Sequence, residues 1–193
     1  MTTDLTFIRK AILQTAILLT ALLFMPLLVM GQALEHPGRD HSETRKSPNG
    51  SVSQTIGTRV VSIEYSRPYV KGRQVFGGLQ KYGEVWRAGA NEATTILIPN
   101  DVSVEGEPLA AGVYSFFTIP GQEEWTLIFN SRAKIWGTRH DPANDVLRVV
   151  VDSREAPHSE MLTYAFEAAT NNSVAVVLTW GTTAVPFNLT FGE

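Results

Sequence analysis

The sequence predicts an all-β protein, an antiparallel, jelly-roll-like β-sandwich with a long capping loop that follows an N-terminal signal or anchor helix. From residue 54 onward, apolar and polar residues alternate over runs of five to eight, which is typical of strands with one buried face. Turn-forming stretches such as EGEP, IPGQEE and TNNS separate these runs at short spacing. No clear amphipathic helical pattern follows the first 33 residues.

The first 33 residues predict a secretory signal peptide. Arg9 and Lys10 precede an uncharged run at 11–30, and the small residues Gly31 and Ala33 favour cleavage after Ala33. The run is also long enough to span a bilayer as an uncleaved anchor, which would be the protein's only membrane contact. Either interpretation places the body of the protein outside the cytoplasm, in the periplasm or secreted.

Residues 34–53 predict a flexible polar linker ahead of a β-sandwich domain at 54–193. The stretch LEHPGRDHSETRKSPNGSVS contains Pro, Gly and Ser throughout and has almost nothing to bury. His36 and His41 lie in it without the further ligands that a metal site needs, so no metal is predicted.

The bulk composition excludes several classes of function. The chain has 193 residues and is 44% hydrophobic, which suits one domain with a sizeable core. A net charge of −3 gives no reason to expect nucleic acid as a partner. The absence of cysteine excludes disulfides, thiolate metal sites and cysteine nucleophiles. No cofactor is predicted.

The alternating runs predict about nine short strands with meander-like turns. Pro186 lacks the backbone donor that a central strand needs, so the last strand is expected at a sheet edge. Trp125 and Trp180 fall on the buried side of good strands and are predicted to be core. The clearest runs, in chain order, are TRVVSIEYS, GVYSFFTIPG, EWTLIFN, DVLRVVVD, EMLTYAFEA, NSVAVVLTW and AVPFNLTF.

Two long connections interrupt the strand pattern. Residues 67–91 contain too many apolar side chains for a solvated loop, so we expect them to fold back over the end of the sandwich, with one helical turn near 78–82. Residues 131–145 carry Trp136, which we expect to be exposed. Long ordered loops on rigid β scaffolds often carry function.

Long stretches of the chain resemble a known family. The segments are YSRPYVKGRQVFGGLQKYGEVWRAGANEATTI, GEPLAAGVYSFFTIPGQEEWTLIFN, WGTRHDPANDVLRV and VVLTWGTTAVPFNL. Over residues 52–191 they resemble domain-of-unknown-function family 2911 (DUF2911), whose members are mostly secreted or periplasmic bacterial proteins. The resemblance implies a predominantly β domain behind a signal peptide, and it implies no substrate, activity or catalytic residue.

The stretch VWRAGANEATTI concentrates hydrogen-bonding side chains at the entrance to a strand. Arg87, Asn91 and Glu92 offer donors and acceptors, and basic residues upstream add positive charge. We therefore predict a non-catalytic module that binds a polar or anionic small molecule or glycan, such as a sugar, a uronate or a phosphate, through residues 67–91 and 136–145. The predicted ligand-binding residues are Arg67, Lys71, Arg73, Trp86, Arg87, Asn91, Glu92, Thr94, Trp136 and His140.

Three other interpretations remain open at this point. An Arg87–Glu92 ion pair, with Asn91 bonded to loop backbone, would only hold the capping loop in place. An extracytoplasmic hydrolase would use Glu84 or Glu92 with His140, although no serine lies in a nucleophile elbow. A structural or protein-interaction module would present an exposed sheet edge.

Overall fold

The computed structural model describes residues 33–192, which form an all-β unit of two antiparallel sheets. The predicted signal or anchor helix lies outside these residues, apart from Ala33 at its end. Within the described range, no helix is long and apolar enough to cross a membrane. The strands are β1 (Asn49–Ile56), β2 (Arg59–Ser66), β3 (Thr94–Ile98), β4 (Val102–Val104), β5 (Glu107–Leu109), β6 (Gly112–Ile119), β7 (Glu124–Asn130), β8 (Asp145–Asp152), β9 (Arg154–Glu167) and β10 (Ser173–Phe191).

One sheet has six strands in the order β1-β2-β3-β6-β7-β8, and the other has four in the order β5-β4-β10-β9. Neighbours in the larger sheet are therefore mostly consecutive in the chain, as in a meander. The jelly-roll-like connection expected from sequence differs from this order, since a jelly roll is built from Greek keys. The helical turn expected near 78–82 is absent there, and a 3-10 turn instead occupies Pro142–Asn144.

The predicted alternation produces one main core to which both sheets contribute. In β2, Val61, Ile63 and Tyr65 are buried while the residues between them are more exposed. Phe116 of β6 stacks on Phe187 of β10, with ring centroids 5.4 Å apart. The prediction that Trp125 and Trp180 are core residues is confirmed, because both are buried in this cluster.

The connection at 67–91 packs into the same core. Val70, Val75, Phe76 and Trp86 are all buried there. Phe76 meets the ring of Trp125 edge-on, with centroids 4.6 Å apart, and Trp86 stacks on Trp180 at 5.7 Å. The apolar residues of this loop therefore anchor it, as the sequence indicates.

The second loop covers part of the other face of the larger sheet. Phe117 and Ile128 point away from the main core, and together with Ala93 they form a separate buried cluster. Ile135 of the 131–145 loop packs against it. Burial on both faces explains why β6 and β7 contain adjacent large apolar residues.

The expectation that the last strand lies at a sheet edge is wrong. β10 has β4 on one side and β9 on the other. Its pairing with β9 reaches Ala184, however, and its pairing with β4 begins only at Leu189. Pro186 falls between these two ladders, so its missing N–H costs no ladder hydrogen bond.

The predicted domain boundary at residue 54 is also wrong. β1 begins at Asn49, inside the segment expected to be a linker, and pairs with β2 along its whole length. Residues 36–48, which we name the N-terminal segment, lie against the larger sheet through the polar contacts described below.

Candidate functional site

Glu92, just ahead of β3, ties the N-terminal segment to the larger sheet. Arg45 donates to both carboxylate oxygens, from Nη1 to Oε2 at 2.5 Å and from Nη2 to Oε1 at 2.8 Å. Arg39 Nη1 lies 3.6 Å from the same Oε2. Hydrogen bonds from Arg45 lower the pKa of Glu92 below its usual value, although burial opposes them. A bidentate pair of this kind fixes geometry as well as charge.

Arg39 is the buried member of this group, with a side chain only 4% exposed. Its Nη2 donates to the carbonyl oxygens of Glu64 at 2.7 Å and Ala93 at 2.6 Å. Burial lowers the pKa of Arg39, while the charges of Glu92 and Glu64 act to raise it. Its Nε has no hydrogen-bond partner within residues 33–192.

Two further contacts hold the N-terminal segment. The ring of His36 bridges the hydroxyls of Thr95 and Ser62, at 2.8 and 2.9 Å. Asn91 Nδ2 donates to the carbonyl of Ser47 at 3.2 Å. The segment is therefore attached to the sheet by side-chain hydrogen bonds and ion pairs, which is why its sequence resembles a linker.

The Arg87–Glu92 pair considered from sequence is wrong, because Glu92 binds Arg45 and Arg39 instead. Arg87 is half-buried, and no described carboxylate lies within ion-pair distance of it. Burial is the cause that lowers the pKa of Arg87. Its Nε is buried without a hydrogen-bond partner in the described part of the chain. A guanidinium stays charged at neutral pH, so Arg87 presents an uncompensated positive charge.

Arg87 lines a cavity of about 250 Å³ between the N-terminal segment and the 67–91 loop, which we name the Arg87 cavity. Lys46, Lys71 and Arg73 line it as well, and its described lining contains no Asp or Glu. Trp180 contributes to the wall, and its buried indole N–H has no acceptor among the described residues. The cavity therefore offers donors and positive charge without matching acceptors.

Glycine at position 137 lets the second loop lie against Arg87. A β-carbon there would stand 2.0 Å from Arg87 Cδ and 2.8 Å from the carbonyl oxygen of Asn91. The Gly137 N–H donates to that same oxygen at 3.2 Å. The stem of Arg87 is thus packed in place while its charge remains unpaired.

The other predicted basic residues differ in their freedom to bind a ligand. Arg73 donates hydrogen bonds from Nε to the Val70 carbonyl and from Nη2 to the Tyr69 carbonyl. Lys71 Nζ lies over the ring of Tyr69 and is exposed. Arg67 is outside the cavity lining, because its guanidinium donates to the Leu162 carbonyl and the Thr163 hydroxyl on β9.

Two predicted ligand-binding residues have structural positions instead. Trp86, predicted to bind a ligand, is only 6% exposed and its ring stacks on Trp180, so its face is not available to a ligand. Thr94 is fully buried and donates its hydroxyl proton to the Ala88 carbonyl at 3.0 Å. Asn91 and Glu92 hold the N-terminal segment, as described above.

The two predicted residues of the second loop lie apart from the Arg87 cavity. Trp136 is 47% exposed, as expected, and lines a different cavity of about 260 Å³. His140 Nε2 lies 2.8 Å from Oδ1 of Asp145, and its ring packs edge-on against Phe117. Burial raises the pKa of Asp145, but hydrogen bonds from Asn130, Arg148 and His140 outweigh it and lower that pKa.

The residues weighed for hydrolysis do not meet in one site. Glu84 is 66% exposed and pairs with Lys81 at 3.6 Å. Glu92 is held by two arginines, and His140 is held by Asp145. The residues lining the two cavities include neither Glu84 nor His140.

Sequence reasoning missed the contribution of the N-terminal segment. The segment predicted to be a solvated linker contains Arg39, Arg45 and Lys46, and the sequence analysis names none of them as a site residue. One signal was available, since Glu92 needed a cationic partner and this segment is rich in them. Hydrophobic periodicity cannot reveal a segment that docks through polar contacts.

We predict that Glu92→Gln destabilises the protein in a pH-dependent way. The pKa of Glu92 is lower in the folded state, so its contribution is complete above the unfolded value of about 4.3 and is lost as pH falls through the folded value. Above about pH 5.5 the free energy of unfolding of the variant should be roughly 1–3 kcal/mol lower than that of the wild type, since Arg39 keeps a buried charge without its partner.

Urea unfolding between pH 3 and 7 measures this difference, with Glu84→Gln as the matched control because Glu84 forms only an exposed ion pair. The difference in free energy of unfolding between wild type and Glu92→Gln should disappear at low pH. A difference that is constant with pH, or one equal to that of the control, would contradict the stabilising role of ionised Glu92.

A family model described as "Protein of unknown function (DUF2911)" matches residues 47–189, which is most of the chain and includes both loops. No curated protein and no solved structure gives a match. The match begins inside the N-terminal segment, and it covers every residue predicted from sequence to bind a ligand. The chain belongs to the DUF2911 family.

Proposed function

We propose that this protein is a non-catalytic binding module for a small anionic ligand, which it holds in the Arg87 cavity. The observation that carries the proposal is the half-buried Arg87 guanidinium, which lines the cavity and has no counter-ion among the described residues. Buried charges are normally paired. A bound anion would supply the missing counter-ion.

The surroundings of Arg87 support an acceptor-rich ligand. Lys46 and Lys71 line the cavity with exposed side chains. Arg73 adds charge although two of its donors are occupied. Such a set favours a phosphate or carboxylate group, because both accept several hydrogen bonds and both carry negative charge.

The cavity volume of about 250 Å³ suits a small molecule. A phosphorylated or carboxylated sugar combines an anionic group with a polar body, and the walls provided by Tyr69 and Gln80 accommodate such a body. We therefore propose a sugar phosphate or a uronate as the ligand class.

We predict that Arg87→Gln abolishes most anion binding with little effect on stability. Glutamine keeps carbon atoms at the Cβ and Cδ positions, which pack beneath Gly137, and no ion pair among the described residues is lost. Affinity for glucose 6-phosphate, glucuronate or inorganic phosphate, measured by calorimetry, should fall roughly ten- to hundredfold, as expected for loss of a charged hydrogen bond.

The matched control is Arg59→Gln, since Arg59 lies over the Phe191 ring and donates to the Gly192 carbonyl, outside the cavity lining. Its affinity for the same anions should equal that of the wild type. Neutral glucose should not bind at this cavity. Undiminished anion binding by Arg87→Gln, or no binding of any of the three anions by the wild type, would contradict the proposal.

We propose further that the binding module is a β-sandwich that acts outside the cytoplasm. The main core, to which both sheets contribute, supports the sandwich. The basic, apolar and small-residue stretches of residues 1–33 support a signal peptide or anchor.

For the leader, we predict cleavage after Ala33. Intact-mass spectrometry of protein recovered from the periplasm or medium should find Leu34 as the first residue, because small residues at 31 and 33 suit signal peptidase. An intact N-terminus in membrane-bound material would show the anchor alternative, and recovery from the cytoplasm alone would contradict the proposed location.

A further inference from the structure

We propose a second binding site for an uncharged sugar ring, in the cavity lined by Trp136, which we name the Trp136 cavity. It measures about 260 Å³. Its lining consists of residues 37–39, Glu64 near the end of β2, residues 92, 93 and 95 at the start of β3, and residues 133–136. It shares no lining residue with the Arg87 cavity. The sugar site and the anion site can therefore be tested independently.

One wall of this cavity carries a carboxylate without a partner among the described residues. Glu64 lines the cavity and is half-buried, and its carboxylate forms no hydrogen bond or ion pair with the described part of the chain. Lys134 also lines the cavity, with an exposed side chain that can donate. Partly buried polar groups normally find partners, so a ligand that both accepts and donates hydrogen bonds fits this wall. Sugar hydroxyls do both.

Trp136 provides the other requirement of a sugar site, a flat aromatic face. Its side chain is 47% exposed even though it borders a cavity. Its backbone is held beside Glu92 by two hydrogen bonds, from Gly137 N–H to the Asn91 carbonyl and from Ala93 N–H to the Ile135 carbonyl. The ring is therefore presented from a fixed backbone, which reduces the entropy that binding must overcome.

The residues that line the cavity are balanced in charge, with Arg39 and Lys134 against Glu64 and Glu92, which favours a neutral ligand. A wholly apolar ligand would leave Glu64 unsatisfied and desolvated. An uncharged pyranose would cover the indole with its C–H face and offer its hydroxyls to Glu64 and Lys134.

Titration of the wild-type protein with methyl glucoside, methyl galactoside and cellobiose tests this inference, with tryptophan fluorescence and ligand-observed NMR as readouts. At least one glycoside should bind saturably. Trp136→Ala should weaken that binding by about tenfold or more, as for other central aromatic contacts. Glu64→Gln should weaken it by about tenfold, as for loss of a charged acceptor.

Matched variants show whether the effect belongs to this cavity. Tyr82→Ala removes another exposed aromatic, 41% exposed, that does not line it, and should leave glycoside binding unchanged. Arg87→Gln should also leave it unchanged. Absence of saturable binding by all three glycosides, or binding that survives Trp136→Ala, would overturn the inference. Binding of phenol or indole that is equally tight in Glu64→Gln, with no glycoside bound, would overturn it too.

Discussion

The Glu92 carboxylate, shared by Arg45 and Arg39, is the interaction on which the rest of the candidate site depends. It joins the start of β3 to a polar segment that has little apolar surface of its own to bury. A bidentate contact to Arg45 gives the junction direction, and the buried Arg39 adds hydrogen bonds to two backbone carbonyls. Without this junction, conformational entropy would favour release of the segment.

The same segment supplies a wall to each cavity, so one ion-pair group shapes two cavities with different lining residues. Arg39 lines the Trp136 cavity and Lys46 lines the Arg87 cavity. Arg87 itself is positioned from the other side by Gly137, whose lack of a side chain admits the second loop. Arg39 and Arg45 have carboxylate partners, whereas Arg87 has none among residues 33–192.

Sequence periodicity predicted most of the strands and the core tryptophans, because burial on one face leaves an alternating pattern, seen most clearly in β2 and β8. It missed β1, whose residues are mostly polar, and misjudged β10, where Pro186 falls in a gap between ladders rather than at an edge. In the site, Lys71, Arg73 and Arg87 line one cavity, whereas Arg67, which was predicted together with them, does not. The partner of Glu92 escaped prediction because it is 47 residues away in a segment without hydrophobic pattern.

Limited trypsin digestion tests most directly whether the N-terminal segment is part of the folded domain. The bonds after Arg39 and Arg45 are protected if both guanidinium groups are engaged at Glu92, so native wild-type protein should resist cleavage there. The Glu92→Gln variant should be cut at both positions under the same conditions while its β core stays folded. Rapid cleavage of the wild type after Arg39 would contradict the account.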